Sequence, residues 1–206
     1  QLYSFRDMLP AQLDTVLNRL VEIGYAGVEP YRGLPPAETM ELIQRHDLQV
    51  PSAHLSAPVD DAETATLEAA EIYRLKQIIV PFLPREDFLT VDAIKRNCDM
   101  LNRAAAIARH HGYALGYHNH WWEFQPVPDD DNRRTGHEVM RAHLDPDIFF
   151  QIDTYFVKMV GLDPAQVVSD LKARIPTLHI KDGPGQRDEP NMAVGAWIMD
   201  FPSLRA

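Results

Sequence analysis

Seven short apolar runs, separated by stretches with helical spacing or helix-start chemistry, constrain this chain more than any other feature. Leu2-Tyr3-Ser4-Phe5 reads as a strand, and Leu13, Val16, Leu17, Leu20, Val21 and Ile23 then recur at helical spacing until Gly24. Gly27-Val28-Glu29 supplies a second strand, Pro35-Pro36 opens a helix through Met40, Leu42 and Ile43, and Leu48 to His54 supplies a third strand. A helix across Ala62 to Tyr73 leads to Gln77 to Phe82, whose β-branched run suits a buried parallel strand. A long helix over Val91 to His110 stops at Gly112 and leads to the strand Tyr113 to His118. A polar excursion (Pro126 to Arg134), a short helix (Glu138 to His143), the strand Ile148 to Asp153, the helix Pro164 to Ala173 and the strand Thr177 to Lys181 follow. Phe201 to Leu204 resembles a helix start.

Strands that alternate with helices are expected to lie parallel, because a parallel pair needs a crossover long enough to hold a helix. The choice between an open sheet and a closed (β/α)₈ barrel rests on inward polar residues. Glu29, His54, His118, Asp153 and His179 each sit at or near the C-terminal end of a strand, opposite apolar neighbours. A barrel gathers its chemistry there from several strands, whereas an open sheet concentrates a ligand at one switch point. No G-x-G-x-x-G or G-x-x-x-x-G-K-[ST] follows any strand. The expectation is an α/β (β/α)₈ TIM barrel in a single domain over residues 1–206, truncated after the seventh strand, with an eighth strand and helix expected beyond Ala206.

The densest chemistry lies at Tyr117-His118-Asn119-His120-Trp121-Trp122-Glu123-Phe124. Alternation along a strand puts His118 and His120 on one face with Ala114 and Gly116. Asp153 would be a costly charge inside a barrel unless it is paired or bound to a cation. His118, Asp153 and His179, at the ends of three consecutive strands, are therefore the candidate metal ligands. Nitrogen and oxygen donors suit Mn²⁺, Zn²⁺, Co²⁺ or Fe²⁺ better than Ca²⁺, and Mg²⁺ stays in the set. The formal net charge of −10 argues against nucleic acid as a partner and leaves a small molecule. No apolar run is long enough to span a bilayer and no signal segment opens the chain, so a cytoplasmic protein is expected, with no membrane partner and a homo-oligomer allowed. Cys98 is the only cysteine and reads as a helix residue without function.

The chain resembles the xylose isomerase-like TIM barrel superfamily, in particular its sugar phosphate isomerase/epimerase group. The resemblance rests on Gln1-Leu2-Tyr3-Ser4 with Arg6-Asp7, Gly24 to Glu29, Ser52-Ala53-His54, Val80 to Pro84, Tyr117 to Phe124, Ile152 to Tyr155, His179-Ile180-Lys181-Asp182 and Asp200-Phe201. It implies a divalent metal held by acidic and histidine residues, with Asp153 and His179 matching two ligands. It also implies a departure at strand five, where His118 stands in place of a common Glu and His120 or Glu123 are substitutes. A second departure is Gly195-Ala196-Trp197, where relatives carry Gly-Glu-Gly. The implied activity is sugar isomerisation or epimerisation by proton abstraction next to a carbonyl and an enediolate intermediate. Glu123 and His120 are the candidate acid–base residues, and Glu29, His54, Lys181 and Trp121 the candidate substrate-binding residues. The alternative is a metal-dependent dehydratase or lyase acting on keto-sugars or related polyols, which shares the enediolate and differs in the fate of a β-leaving group. A carbohydrate-binding role without catalysis and a metal-dependent nuclease are the remaining readings, the last weakened by the acidic balance.

Overall fold

The computed structural model describes residues 1–187 and 189–205. The chain divides into two units, residues 1–81 with 103–115, and residues 82–102 with 116–206.

The first unit opens with a 3-10 helix, Leu2–Met8, where a strand was expected. Only Leu2 of this segment is buried, and Tyr3 is half exposed. A run with one residue to bury gains little from a sheet, and local bonds such as Ser4 N to Gln1 O satisfy its backbone instead. Helix α1 (Leu13–Ile23) buries Leu13, Val16, Leu17 and Leu20 as their spacing predicts, and Gly24 caps it at φ 103°. With Leu2, Val28, Leu34, Ile43 and Leu48 these side chains form one apolar cluster. Helix α2 (Pro36–Arg45) starts on Pro36, whose missing N–H costs nothing in the first turn.

The expected strand Gly27-Val28-Glu29 is reduced to parallel bridges, Gly27 to Gln49 and Tyr31 to His54. The direction is that of a strand, but Pro30, which has no N–H to donate, interrupts the ladder between the two bridges. Gly27 has to be glycine, since a Cβ there would lie 2.6 Å from the Gln49 carbonyl oxygen. The expected strand over Leu48 to His54 shortens to β1 (Ser52–His54). Helix α3 (Glu63–Ile72) leads to β2 (Gln77–Val80), which pairs parallel with β1.

Helix α4 (Val91–His110) and strand β3 (Ala114–His118) cross the division between the units. In the first unit Ala114 N donates to Lys76 O. In the second, Gly116 to His118 pair parallel with β4 (Phe149–Asp153). Between them lies α5 (Gly136–His143), which begins on a capping box: Thr135 Oγ1 accepts from Glu138 N while the Glu138 carboxylate accepts from Thr135 N.

After β4 the chain makes α6 (Thr154–Met159), a helix beyond those expected from the sequence, then α7 (Pro164–Leu171) and β5 (Thr177–His179), parallel to β4. Of Phe201 to Leu204, expected to start a helix, Pro202 to Leu204 lie in a 3-10 turn over Pro202–Arg205, and Phe201 precedes it. The core of the second unit contains Val139, Met140, Ile148, Phe150 and Ile152, all fully buried. Each such side chain stabilises the fold by roughly 1.5–3 kcal/mol. Five strands are therefore present among the described residues where seven were expected, all parallel and in chain order within each unit. Among the same residues no helix is long and apolar enough to cross a membrane.

Candidate functional site

The second unit concentrates most of the expected site. Parallel register sets its frame: His118 stands opposite Gln151, and Asp153 opposite His179. The side chain of residue 116 is absent for a reason, because a Cβ there would run into the Phe149 ring. The rings of His118 and His179 lie 4.5 Å apart, and each offers a nitrogen within 4.8 Å of the other. Asp153 is fully buried and already has partners. Its Oδ1 accepts from Phe156 N, capping α6, and its Oδ2 lies 2.7 Å from Lys181 Nζ. The Lys181 ammonium also sits 4.5 Å above the Phe156 ring. Asn119, also fully buried, fixes this corner by accepting a hydrogen bond from Asp153 N.

The donor set fits a divalent ion in part. Two imidazoles within 4.8 Å of one another are suitable donors for Zn²⁺ or its first-row neighbours. Asp153 is not a vacant carboxylate, since the Lys181 ammonium supplies the positive charge its burial requires. For Asp153 to join the imidazoles as a ligand, that ammonium has to leave.

His120 and Glu123 form a second group. Glu123 is fully buried, its Oε1 accepting from Tyr117 Oη at 2.6 Å and its Oε2 from His120 N at 2.9 Å. Burial, and next the Glu123 charge, push the Tyr117 hydroxyl well above its ordinary pKa, so it remains a donor. His120 Nδ1 is 3.8 Å from Glu123 Oε1. The His120 ring stacks on Trp122 at 4.3 Å, with Phe156 at 5.2 Å and Phe82 at 5.7 Å. His118 and His120, expected on one face, do come together at 5.3 Å. Trp121 meets Trp122 edge to face at 5.6 Å and carries the guanidinium groups of Arg85 and Arg187.

In the first unit Glu29 and His54 are both buried. Glu29 Oε1 accepts from Ser52 Oγ at 2.7 Å, Glu29 Oε2 is 3.5 Å from His54 Nε2, and His54 Nδ1 is 3.3 Å from Gln1 Nε2. This is a carboxylate–imidazole pair with its outer atoms already engaged.

Sequence reasoning missed Asn119, Phe156, Arg85, Arg187 and Asp182. Asp182 is fully buried at the end of the His179-to-Asp182 segment, and its carboxylate accepts from the backbone N–H groups of Gly183, Gly195, Trp197 and Met199. Burial alone would raise its pKa; those hydrogen bonds outweigh it and hold the carboxyl below its usual value. The one available signal was an acid opening a Gly/Pro-rich loop, which reads equally as a turn residue. Cys98 lies in α4 and is buried, and burial, reinforced by Asp99, pushes its thiol up to about 12.

Among solved structures, the chain is similar to a sugar phosphate isomerase/epimerase from Parabacteroides distasonis ATCC 8503, with 23% identity over 99% of this chain and 79% of that one and a TM-score of 0.82. It is also similar to a D-allulose 3-epimerase from Methylomonas sp., with 16% identity over 94% and 73% of the two chains and a TM-score of 0.63. A third similar structure is a probable 3-DHS dehydratase from Bacillus anthracis, with 14% identity over 89% and 72% and a TM-score of 0.64. At these identities the likeness shows the fold. No curated protein matches the sequence. The family model for the xylose isomerase-like TIM barrel matches residues 17–206, and the chain belongs to that family.

Proposed function

We propose that this protein is a sugar isomerase or epimerase that moves a carbon-bound proton next to a carbonyl through an enediolate. The observation that carries the proposal is the pairing of fully buried Asp153 with Lys181, on strand ends that also present His118 and His179. An ion pair at a buried carboxylate is weak evidence for a stabilising role, so its place beside two imidazoles supports a functional one. Neighbours of similar fold whose names include an isomerase/epimerase and an epimerase point the same way.

In this reading His118 and His179 would hold a divalent ion, and Asp153 would join them as a ligand if the Lys181 ammonium turned away. When bound, such an ion polarises the substrate carbonyl and its adjacent hydroxyl as a Lewis acid. His120 exchanges the proton, since its ring is held by Trp122 and Phe156 while Nδ1 keeps only a long contact to Glu123. Glu123, whose two oxygens already accept hydrogen bonds, orients His120 and is the second proton-transfer candidate. Lys181, released from Asp153, offers its ammonium to the developing enediolate oxygen.

The test is exchange of the carbon-bound proton of a keto-sugar in deuterated solvent, followed by NMR on the full chain with a divalent metal. Asp153→Ala is expected to abolish exchange, and His120→Gln to slow it by about 10²–10⁴-fold. Full exchange in Asp153→Ala would sink the proposal. The similarity to a probable dehydratase keeps an elimination reading open, and product mass separates the two: an isomer keeps the formula, whereas elimination loses water.

A further inference from the structure

A cavity of about 240 Å³ lies in the first unit between α2 and α3, and the proposed proton transfer makes no use of it. Ala65, Thr66 and Ala69 of α3 and Tyr73 at its C-cap line one side at spacings that share a helix face, and the small side chains leave open the space that larger ones would fill. Leu55 lines the cavity from the sheet. Its N–H donates to Ile79 O and continues the ladder of β1, so its side chain takes the face opposite to that of Ser52 and His54. The cavity therefore lies on the helix side of β1, away from the Glu29–His54 pair. Thr66 Oγ1 donates to Ser56 O, but Tyr73, 2% exposed, has a hydroxyl with no hydrogen-bond partner among the described residues. Burial pushes that hydroxyl up to about 12, with the nearby Thr39 hydroxyl acting against the rise, so it stays protonated and remains a donor. An unpaired buried hydroxyl costs the fold the desolvation of that group, and a donor kept at a cavity wall can be met by an oxygen that enters the cavity. No carboxylate lines the cavity among the described residues, and its charged side chain, Arg32, is exposed, so nothing there holds a cation. Size narrows the ligand further: a dry cavity of about 150 Å³ takes up benzene, whereas drug-sized ligands occupy roughly 300–1,000 Å³.

We propose that the cavity between α2 and α3 is a second ligand site, which takes a small uncharged molecule with one ring and one oxygen, the ring against Ala65 and Ala69 and the oxygen accepting from the Tyr73 hydroxyl. The site is independent of the proposed isomerase activity, and its test measures binding alone. Benzyl alcohol and its oxygen-free isostere ethylbenzene are titrated into the full chain and followed by calorimetry and ligand-observed NMR. Benzyl alcohol is expected to bind saturably. The ratio of the ethylbenzene Kd to the benzyl alcohol Kd cancels the difference in their transfer from water, and it is expected to fall about tenfold in Tyr73→Phe, as loss of one buried hydrogen bond implies. Ala69→Leu fills the cavity and is expected to abolish binding of both probes while the chain stays folded in denaturant unfolding. Ala65→Leu, at an exposed position of the same wall, replaces it as the blocking variant if Ala69→Leu does not fold. Absence of saturable binding by benzyl alcohol, or binding that survives the blocking variant, overturns the site. A ratio unchanged in Tyr73→Phe overturns the requirement for an oxygen, and with it the ligand class.

Discussion

At the scale of single residues, the informative comparison is between Asp153 and Glu123, two fully buried carboxylates with different partners. Glu123 is neutrally solvated by a phenol and a backbone amide, whereas Asp153 depends on the charge of Lys181. Removing one member of a buried pair leaves the other uncompensated, at a cost of about 3–5 kcal/mol. Lys181→Met is therefore expected to lower stability by about 3 kcal/mol in denaturant unfolding without added metal. A divalent cation should restore much of that loss, because the competing ammonium is gone and a bound ion stabilises the folded state by mass action. Loss of stability that Zn²⁺ or Mn²⁺ does not restore would count against Asp153 as a metal ligand. The chemistry of this site was legible in the sequence as residue types at strand ends. That Lys181 would neutralise Asp153 was not, because an ammonium on a flexible stem can reach several acids and only its surroundings select one.

At the scale of elements, strand and helix order were legible because period and punctuation agreed. Gly24 caps α1, Pro36 opens α2 and Thr135 with Glu138 boxes α5, each at the position its local chemistry favours. Thr135→Ala is expected to cost about 1 kcal/mol, read as a shift in the denaturant midpoint at unchanged m-value. Helix α6 was missed because Asp153, which caps it, also read as a ligand, and both roles are compatible with one carboxylate. The Leu2-to-Phe5 run was misread because apolar composition alone does not separate a short strand from a 3-10 turn. In the loop after β5, Asp182 holds four backbone N–H groups. Asp182→Asn turns one acceptor oxygen into a donor and should expose residues 183–199 to proteolysis at native pH. The same carboxyl is held below its ordinary pKa, so its contribution is present above that value and is lost as pH falls through the folded pKa.

At the scale of the whole molecule, a buried histidine adds its own acid sensitivity to stability. His137 is buried between Phe124, whose ring is 4.6 Å away, and Phe150, at 4.9 Å. Burial first, then the charges of Arg141 and Arg174, lower its pKa from 6.5 to about 3. The unfolded chain therefore binds the proton before the folded one does. Stability is fully present above about pH 6.5 and falls as pH drops toward 3, at roughly 1.4 kcal/mol per pH unit from this group. His137→Phe should flatten that slope in unfolding measured between pH 6.5 and 4, while an unchanged slope would place the acid sensitivity elsewhere.

What the sequence determined by itself was the α/β alternation, the parallel sense of the strands and the residue types at their C-terminal ends, because periodicity, caps and crossover length are local properties of the chain. What only the tertiary structure decided was partnership. Lys181 on Asp153, Asn119 on Asp153, Tyr117 on Glu123 and two arginines on Trp121 join residues that sequence spacing leaves unpaired. Those pairings depend on strand register and on which side chain reaches a buried charge first. A buried charge requires some partner, but the fold alone determines which one is near enough to serve.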